Sequence, residues 1–274
     1  MTDMHGGREV PGGENEPLIL AHDESGDGVP VVLLHPFPLD RSFWSPQLGA
    51  FVDHCRCIAP DMRGFGESPA IPPFTIERYA DDVAALLDRL SIESAVIGGL
   101  SMGGYVALSM WQRHRARVRG LMLFDTRAGA DTDVARDQRA GQVERARQRG
   151  SAAVAAELLP VVLGATTRAR HPEIVERVQQ IMSRASTAGI VGAIEAMMNR
   201  ADSTPALATI NVPTLIVCGA EDVATPPEES RAMHDRIAGS TLEIIEGAGH
   251  LSSMERPSAV NHVIREFLAQ LIYA

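Results

Sequence analysis

Short, continuous apolar runs recur along the chain, and each stops at a Gly, a Pro or a polar residue. Val31-Val32-Leu33-Leu34 ends at His35, Cys57-Ile58-Ala59 at Pro60-Asp61, and Ala95-Val96-Ile97 at Gly98-Gly99. Leu121-Met122-Leu123-Phe124 ends at Asp125, Thr214 to Cys218 at Gly219, and Leu242 to Ile245 at Glu246-Gly247. An alternating pattern would mark strands with one wet face. Continuous runs mark strands covered on both faces, as in a parallel sheet. Helical spacing fills the gaps. Ile76, Tyr79, Val83, Leu86, Leu87 and Leu90 share one helix face behind a Thr75 cap, and Pro257 to Leu271 repeats the pattern. The expected fold is therefore α/β, a doubly wound, mostly parallel sheet.

One stretch departs from this rhythm. From Arg127 to Pro205 no strand-like run occurs, and Arg- and Ala-rich helical patterns take over at Val134–Gln148, Ala152–Leu163, Ile174–Arg184 and Ile190–Met198. The expected organisation is an α/β core over 17–126 and 206–274, a helical cap or lid over 127–205, and a loose N-terminal tail over 1–16.

Composition narrows the function classes. The 274 residues are 45% apolar and 22% charged, globular values that a disordered chain does not reach. The formal charge is −10, and every one of the 25 basic residues is Arg. That balance argues against a nucleic-acid partner, which needs clustered cations. Cys55, Cys57 and Cys218 read as small buried hydrophobes, because Cys-x-Cys matches no usual zinc spacing. No apolar run reaches the ~20 residues of a membrane span. Residues 1–16 contain no apolar h-region, so a cytoplasmic location is expected.

The chemistry concentrates at the ends of the apolar runs. Gly99-Leu100-Ser101-Met102-Gly103 follows one run and opens a helical pattern, the strand–turn–helix context in which Gly-x-Ser-x-Gly lifts a serine into the open. A serine hydroxyl needs a base. Of the nine histidines, His250 in Gly247-Ala248-Gly249-His250 stands beyond the last run, on what reads as a mobile Gly-rich loop. His35 reads as a structural residue holding its own loop. The base needs an acid. Asp222, in Gly219-Ala220-Glu221-Asp222, is the first candidate and Asp125 its rival, while Glu221 should point elsewhere. Two backbone N–H groups should form an oxyanion hole. Met102 supplies one. In His35-Pro36-Phe37-Pro38 only Phe37 remains for the other, since proline has no N–H.

With Asp61-Met62-Arg63-Gly64-Phe65-Gly66-Glu67-Ser68 added to these motifs, the chain resembles the α/β-hydrolase superfamily from about Leu18 to Ile272. Within it, the chain is most similar to bacterial esterases, 3-oxoadipate enol-lactonases and cofactor-free haloperoxidase-like serine hydrolases. The family usually has Gly where Pro36 stands. The resemblance implies that 61–68 is a structural turn, with no catalytic role for Asp61 or Arg63. It implies a serine hydrolase for a small carboxylic ester or lactone, with Ser101, Asp222 and His250 as triad and no metal or organic cofactor. The same triad also suits a C–C bond hydrolase or a perhydrolase, and the scaffold suits a non-catalytic ligand receptor. The partner expected is a small molecule, with neither nucleic acid nor membrane, and a homodimer is left open. The lid should cover Ser101 and offer Met182, Met197 or Met198 to the pocket, and Arg127 is the arginine best placed to turn inward.

Overall fold

A computed structural model describes residues 16–272. The expected tail, apart from Glu16, lies outside the described residues. The strands are β1 (His22–Ser25), β2 (Val29–Leu34), β3 (Cys55–Pro60), β4 (Ala95–Leu100), β5 (Val118–Phe124), β6 (Thr214–Gly219) and β7 (Thr241–Ile245). They form one sheet in the order β1-β3-β2-β4-β5-β6-β7. Every pairing is parallel except β1 with β3, where His22 faces Pro60 and Ser25 faces Cys57. β1 was not expected from the sequence.

The chain lays β3 on one side of β2 and β4 on the other. The winding direction thus reverses between β2 and β4, where Leu34 pairs with Gly99. At such a switch point the loops after the two strands part and leave a crevice at their carboxyl ends. One of those loops holds Phe37 and the other Ser101, so topology alone brings two distant segments side by side.

Helices α1 (Ser45–Leu48), α2 (Ile76–Arg89) and α3 (Met102–Arg113) lie within the first half of the core. The Thr75 hydroxyl oxygen accepts the Arg78 N–H at 3.0 Å and caps α2 as its sequence implied. α2 buries Ile76, Tyr79, Val83, Leu86 and Leu87 against one sheet face. Each such side chain, fully buried, contributes ~1.5–3 kcal/mol. Between β5 and β6 come α4 (Asp133–Val162), α5 (Ala165–Arg170), α6 (Pro172–Ser183), α7 (Thr187–Met198) and α8 (Thr204–Leu207). α4 consists of two helices that meet at a non-helical kink, Gly150 at φ 72° and ψ −173°, matching the two patterns expected at Val134–Gln148 and Ala152–Leu163. Helices α9 (Pro227–His234), α10 (Ser252–Glu255) and α11 (Pro257–Ile272) complete the core. Cys55 and Cys57 lie together in the cluster on the sheet face that α11 covers, with Val260, Ile264 and Phe267.

No helix of the described residues is long and apolar enough to cross a membrane.

Candidate active site

Ser101 sits between β4 and α3 with φ 54° and ψ −113°. A side chain at positive φ costs of order 1–3 kcal/mol, and it persists only where the surroundings enforce it. The enforcement is visible. The Ser101 N–H donates to the Phe124 carbonyl at 3.0 Å, and its own carbonyl accepts from Thr126 Oγ1 at 2.8 Å and from the Gly104 N–H at 2.9 Å. The glycines are required by contact. A Cβ on Gly99 would lie 2.1 Å from the Gly103 carbonyl oxygen, and one on Gly103 would lie 2.2 Å from that of Leu34. Strand and helix therefore approach more closely than any side chain allows.

The structure brings His250 and Asp222 together. The His250 ring is buried, and its Nδ1 lies 2.8 Å from Asp222 Oδ2. A carboxylate can only accept, so Nδ1 carries the proton and Nε2 is the acceptor. Asp222 is held in turn. Its Oδ1 accepts the N–H groups of Ala224 (2.8 Å) and Thr225 (3.0 Å), and its Oδ2 accepts Thr225 Oγ1 at 2.8 Å. Burial works against the Asp222 charge, but His250 and the bonds from it and Thr225 outweigh that and hold the carboxyl below its ordinary range. Among the described residues no hydrogen bond joins Ser101 to His250. They stand at the ends of β4 and β7, and such contacts commonly tighten only when substrate arrives.

Asp125 goes elsewhere. Its Oδ1 accepts the Gly219 N–H at 2.8 Å, and its Oδ2 bonds the Ser252 hydroxyl, leaving nothing for His250. Burial, and then the nearby Asp222 charge, push its carboxyl well above the ordinary range. Glu221 points to α5, as expected, and its side chain accepts the Thr166 N–H at 2.8 Å.

Among the described residues the Phe37 and Met102 N–H groups donate no hydrogen bond. Phe37 packs against the cluster formed by Val143, Ala146, Val154, Ile190 and Ile194 of α4 and α7, which places the helical segment next to this loop. His35 holds the loop from below. The Met62 N–H donates to its Nε2 at 3.0 Å, so the proton sits on Nδ1, which donates to the Pro36 carbonyl at 3.0 Å. Burial, partly opposed by Asp61, lowers its pKa. Asp61 accepts the Arg41 N–H and the Glu67 N–H, both at 2.8 Å, and Arg63 pairs with buried Asp82 at 2.7 and 2.8 Å. Both residues build the turn over 61–68.

Two expectations need correction. The His250 loop is not loose, since Glu255 binds the N–H groups on both sides of the histidine. Arg127 turns to buried Asp131, which Arg139 and Arg200 also contact. Met182 and Met197 lie in packed clusters at 0% and 3% exposure, whereas Met198 is half-buried.

Sequence reasoning missed Thr225, Ser252 and Glu255 as site residues. The signal for Thr225 is its spacing, three residues after Asp222, at which an Asp side chain can accept both backbone and hydroxyl. The described residues offer one cluster of metal-ligand types, Asp125, Cys218 and Asp222, with atoms within 4.8 Å. It suits a cation poorly, because Asp222 is committed to His250 and burial raises the Cys218 thiol, keeping it protonated.

A strained strand-to-helix serine at the carboxyl end of the central strand of a mostly parallel sheet, with a bonded Asp–His pair on the loops after β6 and β7, is the arrangement of the α/β-hydrolase fold. The model of the alpha/beta hydrolase fold family matches residues 29–257, and the chain belongs to that family. Its relatives include 3-oxoadipate enol-lactonase 2 of Acinetobacter baylyi, 32% identical over 81% of this chain and 82% of that protein. A thermophilic esterase from Thermogutta terrifontis, solved with malate bound, superposes with TM-score 0.90 at 42% identity, covering 92% of this chain and 94% of its own. The enol-lactonase from Burkholderia xenovorans superposes with TM-score 0.84 at 31% identity, over 91% and 96% of the two chains.

Proposed function

We propose that the protein is a serine hydrolase that cleaves a small carboxylic ester or lactone through an acyl-enzyme on Ser101. The observation that carries this reading is Ser101 at φ 54° between β4 and α3, on the same sheet as the buried His250–Asp222 pair bonded at 2.8 Å. Esterases and enol-lactonases among the relatives support the substrate class.

The steps follow from the geometry. With its Nδ1–H donated to Asp222, His250 presents Nε2 as the base that takes the Ser101 proton as Oγ attacks the carbonyl. Asp222 stays charged and stabilises the imidazolium. The Phe37 and Met102 N–H groups, unengaged by the protein, hold the oxyanion, and the N-terminus of α3 adds favourable potential. His250 returns the proton to the leaving oxygen. Water then attacks the acyl-enzyme with the same base. The helical segment over 127–205 acts as the lid, since it packs on Phe37 next to the loop.

A fluorophosphonate should label the wild-type protein at Ser101. Ser101→Ala should abolish labelling and lower kcat on p-nitrophenyl acetate by several orders of magnitude while leaving the fold intact by circular dichroism. Labelling of a different serine, or near-normal turnover in the variant, refutes the reading.

A further inference from the structure

The loop that carries His250 is tied to the helical segment through one buried side chain. Glu255, at the end of α10, is 2% exposed. Its Oε1 accepts the N–H groups of Gly249 at 3.0 Å and Leu251 at 3.1 Å, the two residues that flank His250. Its Oε2 accepts the Gly164 N–H at 2.9 Å, 91 positions away at the start of α5. The carboxylate therefore grips His250 from both sides with one oxygen and the helical segment with the other. Charge-assisted bonds of this kind are roughly twice as strong as neutral ones. The approach is as close as backbones allow, since a Cβ on Gly249 would lie 2.2 Å from the Gly164 nitrogen. The acid loop has its own tie to the same stretch. Glu221, next to Asp222, accepts the Thr166 N–H at 2.8 Å and bonds the Thr166 hydroxyl. Residues 164–166 thus touch both the base loop and the acid loop.

We infer that Glu255 is a positioning residue for His250, and that its bond to Gly164 makes the placement of the base depend on a docked helical segment. This rests on the reading of His250 as the base. The physical reason is the Gly-rich sequence around it. Gly247-Ala248-Gly249 has little intrinsic preference for one conformation, and Gly247 already stands at φ 68°. Local sequence alone would leave the imidazole unplaced, and a displacement of about 1 Å costs up to ~100-fold in rate. Glu255 supplies the missing constraint without touching substrate.

The test uses the full chain and three variants. Glu255→Ala removes every acceptor, Glu255→Gln keeps the volume and one carbonyl oxygen, and Gly164→Ala drives a Cβ against Gly249 from the helical side. Expected are a fall in kcat of about tenfold or more for Glu255→Ala, with KM changed less than about threefold, and partial rescue in Glu255→Gln. The rate of fluorophosphonate labelling at Ser101 should fall in parallel, and Gly164→Ala should share the kcat loss. Amide hydrogen exchange at Gly249 and Leu251 should quicken in all three. Wild-type kcat in the folded Glu255→Gln and Gly164→Ala proteins overturns the inference, as does loss that merely tracks the unfolded fraction. Should the wild type neither label nor turn over esters, the hydrolase reading fails. The exchange experiment still decides the tie, because unchanged protection at Gly249 and Leu251 in Gly164→Ala refutes it.

Discussion

Two carboxylates end neighbouring segments of this sheet, and their surroundings shift their titration in opposite directions. Asp222 meets an imidazole, a hydroxyl and two N–H groups and is held as an anion. Asp125 is fully buried, faces the Asp222 charge and has only one N–H and one hydroxyl, so the neutral acid is favoured. An amide resembles a neutral carboxyl and not a carboxylate. Asp222→Asn should therefore cripple turnover by releasing the His250 tautomer, with kcat down by about 10⁴-fold. Asp125→Asn should keep kcat within about tenfold of wild type. The sign of the pH effect follows from the same difference. A raised native pKa means that the stability tied to protonated Asp125 is complete below its unfolded value and is lost as pH rises towards the native value. The substituted amide has no such proton to lose, so the Tm of Asp125→Asn relative to wild type should rise between pH 5 and pH 8. Thermal melts across that range check it, and a relative Tm that falls would place the proton elsewhere. Spacing and strand context single out His250, and the order of the motifs along the chain favours Asp222 over Asp125 as its partner; in the structure Asp222 bonds His250, while Asp125 bonds Gly219 and Ser252.

At the level of elements, the helical segment is seated by charge as much as by apolar packing. Buried Asp131 receives Arg127 at 2.6 Å, Arg139 at 2.5 Å and Arg200 at 2.7 Å, and Arg200 stacks on the Tyr105 ring at 4.1 Å. Burial opposes the Asp131 charge, yet Arg139 and Arg200 prevail and its carboxyl lies below the ordinary range. These arginines come from the exit of β5, from α4 and from beyond α7, so one carboxylate gathers both ends of the segment. Removing it leaves three cations without their common partner, two of them with a buried unpaired Nε. Breaking a buried ion pair from one side costs about 3–5 kcal/mol. Asp131→Ala should lower Tm by well over 5 °C, with Ser101 labelling slowed as the segment loosens, and differential scanning calorimetry checks the first. Periodicity foretold the helices but not this junction. An arginine on a helix face reads the same in sequence whether it is solvated or spans 69 positions to Asp131.

For the molecule entire, the proposed hydrolase would take substrate at the switch point between β2 and β4, with the helical segment that packs on Phe37 limiting its size. An enclosed site of this type holds a few hundred Å3. Short-chain p-nitrophenyl esters should therefore be the better substrates. kcat/KM measured against acyl length should decline beyond about six carbons, and a preference still rising past about ten would reveal an open groove. With a formal charge of −10, the protein should also show no affinity for anionic vesicles.

The parallel sheet and the positions at its strand ends were legible along the chain. A buried parallel strand is a continuous apolar run, and the residue that ends it can be read from its neighbours alone. Ser101, Phe37, Met102, Asp222 and His250 were all picked out as candidates in that way. β1 escaped because His22-Asp23-Glu24-Ser25 is an edge strand with no apolar run to mark it. Where Arg127 turns and that Glu255 grips the His250 loop emerge only in the folded chain. Each of these depends on groups that the fold brings together, such as Gly164 and Glu255, 91 positions apart, meeting in a dry interior. There an unmet polar group is expensive, so its partner is chosen by proximity in space and leaves no periodic trace along the sequence.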